Sequence, residues 1–341
     1  MRSKKFLFLI SFLLFLSFVF PSQQVFAKKV TIKFATLAPE GSTWMKVMKE
    51  MDLEFRKKTD GRAKFKIYPG GISGDEKDVV RKMRVGQLHA AGFSGVGLGE
   101  ILPQVRSLDL PFLFRNEKEV DFIEEKYFDY FYKAFEEKGH ILLGWAEIGP
   151  VYIFSNKEVR SLSDMQSLKM WMWEGDPLAG ALFNSLKISP YPLSIMDVLM
   201  ALQTGMVDTV YVSPLGGISL QWFTKVKFMV DIPMAVSAGA VTITKKQFGK
   251  LLPEDQKALK EIAARHLREL TLLSREDNDK SIEVMKKYGL KVINITDPAK
   301  VEEFRNVGVS IRKELTGKLF PPGLVNGMAK DLEVFREANK E

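Results

Sequence analysis

Short β-rich runs and amphipathic helical stretches take turns along almost the whole chain, and that alternation leaves few folds open. Residues 30–36 (VTIKFAT) read as a strand, and Ser42 in the following "LAPEGS" is placed to cap a helix over about residues 43–59. Residues 63–68 (AKFKIY) alternate as a second strand. A glycine-rich turn and a helix follow in "PGGISGDEKDVVRKMRVGQL", and residues 88–93 form a strand ending at Ser94. Residues 141–148, 168–173 and 208–212 read as further strands. Asp176 with Pro177, Ser194 with Asp197, and Ser213 with Pro214 each open a helix: a side-chain oxygen accepts from the free donors of a first turn, and proline tolerates its first position. Strands alternating with helices argue for an α/β fold with mostly parallel sheets.

In such sheets ligands sit beyond the carboxyl ends of the strands. The stretch "LKMWMWEGDP", residues 168–177, puts Trp171 and Trp173 at one such end. Period-two alternation turns both to one face, with Met170 and Met172 on the other. Phe93, Ser94, Trp145, Glu147, Tyr211 and Ser213 hold equivalent places elsewhere. The crevice expected there is rich in aromatic surface.

Residues 253–288 keep a helical pattern with no breaker, on the order of 50 Å at 1.5 Å per residue. That is longer than one small domain needs and reads as a strut touching two. The 341-residue length also favours two domains over one core.

The chain begins with Arg2, Lys4 and Lys5, an uncharged apolar run over residues 6–20, and Val25-Phe26-Ala27 where a signal peptidase reads. This is the pattern of a cleaved secretory signal, with a mature chain starting near Lys28. The apolar run is shorter than the roughly 20 residues that cross a bilayer core. Removing residues 1–27 takes away those three cations and no acid, so the formal charge falls from +8 to +5. The remaining charge is spread out, with no basic block of the kind that binds nucleic acid. With no cysteine, disulfides, thiol catalysis and a lipid-anchoring lipobox are excluded. His89, His140 and His266 are far apart and form no local metal motif, and nothing points to a cofactor. "SGVGLGE" follows a strand but has Glu100 where a dinucleotide fingerprint needs its third glycine. "YPGGISGDE" lacks the ending of a P-loop, and there is no G-x-S-x-G elbow. Nothing points to catalysis.

Four segments taken together resemble one family: residues 32–94 from "IKFATLAPEGSTW" to "HAAGFS", then "LDLPFLFRN", "MDVLMALQTGMVDTVYVSP" and "LLPEDQKALKEIA", in this order and spacing. They are similar to the DctP-type solute-binding proteins of tripartite ATP-independent periplasmic (TRAP) transporters, over essentially the whole mature chain. The resemblance implies a periplasmic protein with a two-lobed, type II-like binding fold. Lobe I would comprise residues 28–148 with about 233–252, and lobe II residues 149–232 with about 275–341. A hinge joins them, and the helix of residues 253–288 spans both. It further implies ligand capture in the cleft and delivery to membrane permease subunits.

Three departures from the family pattern coincide. Where relatives read like "LKIRVP", with an arginine that forks onto a substrate carboxylate, this chain has Trp171. Val151 stands in place of a second arginine, and Val212-Ser213-Pro214 in place of "ENP", whose asparagine often binds ligand; Ser213 and Pro214 join the candidate site. A guanidinium offers a planar pair of charged donors, whereas indole offers one neutral donor and a large apolar face. The exchange favours a hydrophobic or weakly polar ligand: a long-chain or aromatic acid, or a lipid-like molecule. Tryptophan at this place is similar to a subgroup that works with a periplasmic tetratricopeptide-repeat protein. The alternative keeps a small carboxylate ligand with a relocated cation, for which Lys169, Arg84 and Arg106 are candidates. An enzyme on the same scaffold, with Glu147 as its acid or base, is the distant third.

Overall fold

The computed structural model describes residues 29–339, so the expected signal segment, residues 1–27, lies outside the described residues. The strands are β1 (Val30–Ala35), β2 (Ala63–Tyr68), β3 (Ala90–Ser94), β4 (His140–Trp145), β5 (Gly149–Ser155), β6 (Trp171–Trp173), β7 (Tyr191–Leu193), β8 (Thr209–Val212), β9 (Phe228–Val230), β10 (Ala235–Ser237), β11 (Gly239–Thr244) and β12 (Lys291–Ile293). They make two five-stranded sheets, ordered β2-β1-β3-β11-β4 and β10-β5-β9-β12 with β8 on β5, and a short β6-β7 pair. Each large sheet is covered on both faces. Within β1, Ile32 and Phe34 join one apolar cluster and Ala35 the opposite one. Within β5, Phe154 and Ile153 divide in the same way.

The sheets are mixed rather than mostly parallel. β1 runs parallel to β2 and β3, but β11 is antiparallel to β3 and β4, and β5 is antiparallel to β8, β9 and β10. The cause is how the chain changes lobe. Only residues 146–148 separate β4 from β5, and only Ala238 separates β10 from β11. Neither link has room for the helix that a parallel return needs. The two links lie side by side, with Ala146 N–H donating to Gly239 O at 2.7 Å and Ile148 N–H to Ser237 O at 3.1 Å. The crossing therefore falls at Ala238, a few residues beyond the expected boundary near 233.

The long helix is continuous from Pro253 to Lys287. Its first part packs on the helix Thr43–Lys58 and on β4, and its later part on β5 and on the helix Pro214–Ser219. Thr271, Arg275 and Asn278 lie on one helical face and hold the first crossing. Glu147 N–H donates to Thr271 Oγ1, Arg275 binds the Glu147 carboxylate at 2.6 Å, and Asn278 Nδ2 donates to Ile148 O at 3.0 Å. Gly149 is required beside them, because its φ is +114° and a Cβ there would stand 2.2 Å from Asn278 Nδ2.

The chain's end departs from the expected lobe II of residues 275–341. The helix Pro298–Leu315 does pack on lobe II, against the helix Pro177–Ser185. The helix Pro322–Ala338 returns to lobe I, where Phe335 stacks on Phe122 and Arg336 binds Glu119 at 2.6 Å. Its apolar stripe of Leu324, Val325, Met328 and Leu332 completes a lobe I core cluster, which accounts for the return.

The hinge network yields a stability prediction. Asp121 is held at about 2: burial raises it, but hydrogen bonds from Arg268 and Arg275 outweigh that. Arg275→Met would strand Glu147, whose side chain is 2% exposed, and should destabilise the protein by about 3–5 kcal/mol. Arg268→Met removes a half-exposed partner of the same Asp121 and should cost less than about 1 kcal/mol. Chemical denaturation of both variants checks the contrast.

Candidate functional site

The facing edges of the two lobes enclose a cavity of about 270 Å3. Phe93 and Ser94 reach it from the end of β3, Val151 from β5, Trp171 and Trp173 from β6, Tyr211 from β8, and Ser213 from the turn after β8. Leu37, Trp44, Phe183, Leu220, Trp222 and Met234 extend an apolar wall. Met170 lines the cavity as well, contrary to strict alternation, because the ladder with β7 begins only at Trp171 and residue 170 makes an isolated bridge to Thr209.

Both indole donors at this wall are used inside the protein. Trp171 Nε1 donates to Leu193 O at 3.1 Å, and Trp173 Nε1 donates to the Asp75 carboxylate at 3.1 Å. The Trp171 ring stacks on Tyr211 with centroids 4.9 Å apart and meets Trp222 edge-on at 5.1 Å. Ser213 Oγ accepts from Gly216 N–H at 3.1 Å as a helix cap. What Trp171 and Val151 give the cavity is hydrocarbon and ring surface.

Three expected site residues lie elsewhere. Trp145 packs against Phe128 and Phe131 and donates to Glu124 O. Glu147 is bound by Arg275 at the hinge. Pro214 is buried in the first turn of its helix, outside the cavity lining. The strand-end rule misplaces the first two because β4 is the outer strand of its sheet, so its end opens toward the long helix and not toward the other lobe. Lys169 and Arg84 are exposed and donate to backbone oxygens of Gly205 and Glu100.

One end of the cavity carries a buried charge cluster made of Glu76, Arg106, Asp109 and Asp176, each less than 7% exposed. Arg106 Nη1 lies 2.7 Å from Asp109 Oδ2, and Nη2 donates to both oxygens of Asp176 at 3.0 and 2.8 Å. Glu76 accepts from Ser94 N–H, Ser94 Oγ and Gly97 N–H at 2.7–2.8 Å. Burial pushes Glu76 up to about 7 against these bonds, and pushes Asp109 up to about 6 although Arg106 pulls it back. Apart from Arg106, sequence reasoning missed this cluster, and the signal lay in "SGVGLGE". A Cβ at Gly95 would stand 1.8 Å from Asp109 Oδ2, one at Gly97 2.6 Å from Glu76 Oε2, and one at Gly99 2.9 Å from Arg106 Cδ. The three glycines are a cradle for three charged side chains, not a phosphate loop.

The two lobes touch directly around this end. Arg106 belongs to lobe I and Asp176 caps the lobe II helix Pro177–Ser185. Asp75, on lobe I, also accepts from Ser194 Oγ at 2.7 Å and Ile195 N–H at 3.2 Å across the gap, in addition to Trp173. Lys77 donates to Glu174 O nearby.

Comparison with known proteins agrees with this architecture. A solute-binding protein of Verminephrobacter eiseniae is 28% identical over 72% of this chain and 74% of its own length. The 2,3-diketo-L-gulonate-binding periplasmic protein YiaO of Escherichia coli K12 is 27% identical over 71% and 74%. The crystal structure of a TRAP periplasmic solute-binding protein from Pseudomonas putida F1 with bound D-glucuronate superposes with a TM-score of 0.81 at 23% identity, covering 88% of this chain and 96% of that one. The family model for bacterial extracellular solute-binding protein family 7, DctP, matches residues 34–316, and the chain belongs to that family.

Proposed function

We propose that the protein is exported, captures an apolar or weakly polar organic molecule in the interlobe cavity, and hands it to the permease of its transporter. Long-chain, aromatic and lipid-like compounds are the cargo class, and a tetratricopeptide-repeat partner belongs to the same reading. The observation that carries it is Trp171: its ring lines the cavity and its only donor is already taken by Leu193 O. Trp171 is 1% exposed and held by Tyr211 and Trp222, so the burial gain comes mainly from the ligand's own apolar surface, at about 25 cal/mol per Å2 before association costs are subtracted. An aliphatic or aromatic ligand has such surface to bury, while a small sugar acid would be desolvated against the ring. Arg106 supports a second reading, in which it clamps a small carboxylate like those named for the relatives.

Delipidated protein titrated with medium-chain alcohols and aromatic alcohols should change its tryptophan emission, while D-glucuronate should not. Trp171→Leu should weaken the apolar ligands about tenfold or more. Tight glucuronate binding without apolar binding would decide for the second reading.

Ligand release requires the lobes to part, and a ligand shifts that equilibrium only by its differential affinity for the closed state. Asp75 holds the closed form by accepting from three lobe II donors. Asp75→Ala removes charge-assisted hydrogen bonds of about 1.5–3 kcal/mol each and should shift the ligand-free protein at least tenfold toward the open form. Small-angle scattering should show a larger radius of gyration for the variant, and an unchanged radius would argue against the latch.

A further inference from the structure

We propose that Asp176 is an internal stand-in for a ligand carboxylate: it occupies the guanidinium of Arg106 from the opposite lobe and thereby sets the receptor against free acids. This rests on the reading of the cavity as the ligand site. Among the described residues, Arg106 is the one Lys or Arg that lines the cavity. One terminal nitrogen lies 2.7 Å from Asp109 Oδ2 as an ion pair, and the other donates to both oxygens of Asp176. A carboxylate arriving in the cleft would seek the same planar pair of donors and find them occupied. Nε–H is buried and has no partner, but both carboxylate-binding forks of a guanidinium, Nε with Nη2 and Nη1 with Nη2, include the nitrogen that Asp176 holds.

Asp176 is held in place without any ligand. Its Oδ1 caps the helix Pro177–Ser185 by accepting from Leu178 N–H at 3.0 Å and Ala179 N–H at 3.4 Å. The proline at the first helical position fixes the same turn. The charge balance acts in the same direction, because Asp109 and Asp176 already outnumber the one cation and Glu76 adds a third carboxyl group. A ligand acid would bring a further negative charge to a dry site already rich in carboxylates, either leaving itself unpaired or displacing Asp176 into that state. The head group that fits is neutral, such as an alcohol, an amide or an ester, which needs only a weak donor or acceptor.

The test uses matched pairs that differ only at the head, octanol against octanoate and 2-phenylethanol against phenylacetate, titrated calorimetrically into delipidated protein. Wild type should prefer the alcohol in each pair. Asp176→Asn keeps an oxygen for the helix cap, removes the charge and replaces one of the two oxygens that hold the guanidinium. It should raise the acid-to-alcohol affinity ratio at least about tenfold, the size of one charge-assisted hydrogen bond. Asp176→Ser, a good cap with no reach to Arg106, should do the same and guards against a fold-specific failure of the first variant. A merely structural role would weaken both members of a pair and leave the ratio alone, and that result overturns the proposal. So does a wild-type preference for the acids. If wild type binds neither member of a pair, the apolar-cargo reading fails. D-glucuronate then decides for Asp176: binding gained in the two variants supports the exclusion, and none gained overturns it.

Discussion

Three residues of backbone, 146–148, carry the chain from one sheet to the other, and the geometry of the cavity depends on how firmly they are held. They run beside Ala238 with backbone hydrogen bonds between the two links, so the lobes are joined by a narrow two-stranded ribbon. One face of the long helix pins that ribbon through Thr271, Arg275 and Asn278. A ribbon resists shear and permits bending. Such a ribbon is the connection expected of the hinge class of domain motion. Because β4 leads straight into this ribbon, its end serves the hinge and cannot also serve the site.

Within the closed cleft two kinds of surface divide the work. Hydrocarbon and ring faces from Val151, Trp171 and Trp222 form the wall, and their contribution scales with contact area and is indifferent to ligand direction. The charged end is directional, and both terminal nitrogens of its guanidinium lie against the protein's own acids. A buried ion cluster of this kind adds little net stability, because desolvation offsets the attraction. What it fixes is orientation, by holding a lobe I turn against a lobe II helix start.

Much of this was legible in the sequence, for reasons local to particular residues. Ser42, Asp176, Ser194 and Ser213 announce helix starts because capping is a short-range interaction, and each accepts a first-turn backbone N–H. Trp171 and Trp173 share a face because alternation holds even in a strand of three residues. The failures are of another kind. Strand direction in the sheets depends on which lobe the chain enters next, and nothing within β5 or β11 encodes that. The apolar stripe of Leu324 to Leu332 shows that the last helix buries one face but not against which lobe. The glycines at 95, 97 and 99 read as a failed nucleotide motif because the groups they make room for lie at residues 76, 106 and 109.

Closure and ligand choice are linked through the same atoms. The bonds from Asp176 to Arg106 and from Asp75 to Trp173, Ser194 and Ile195 are made between the protein's own groups, so part of the free energy of closing is internal to the protein. A receptor that instead left its arginine open would need the ligand's carboxylate to bridge the lobes, and would close on acids alone. On the proposed reading the bridge is built in, and an apolar ligand has only to fill volume well enough to tip the open–closed equilibrium. Such a receptor asks of a head group only that it carry no charge, and discriminates beyond that by shape and size. That suits a cargo whose distinguishing feature is hydrocarbon, and the short, ring-lined volume between Trp44, Trp171 and Trp222 sets its limits.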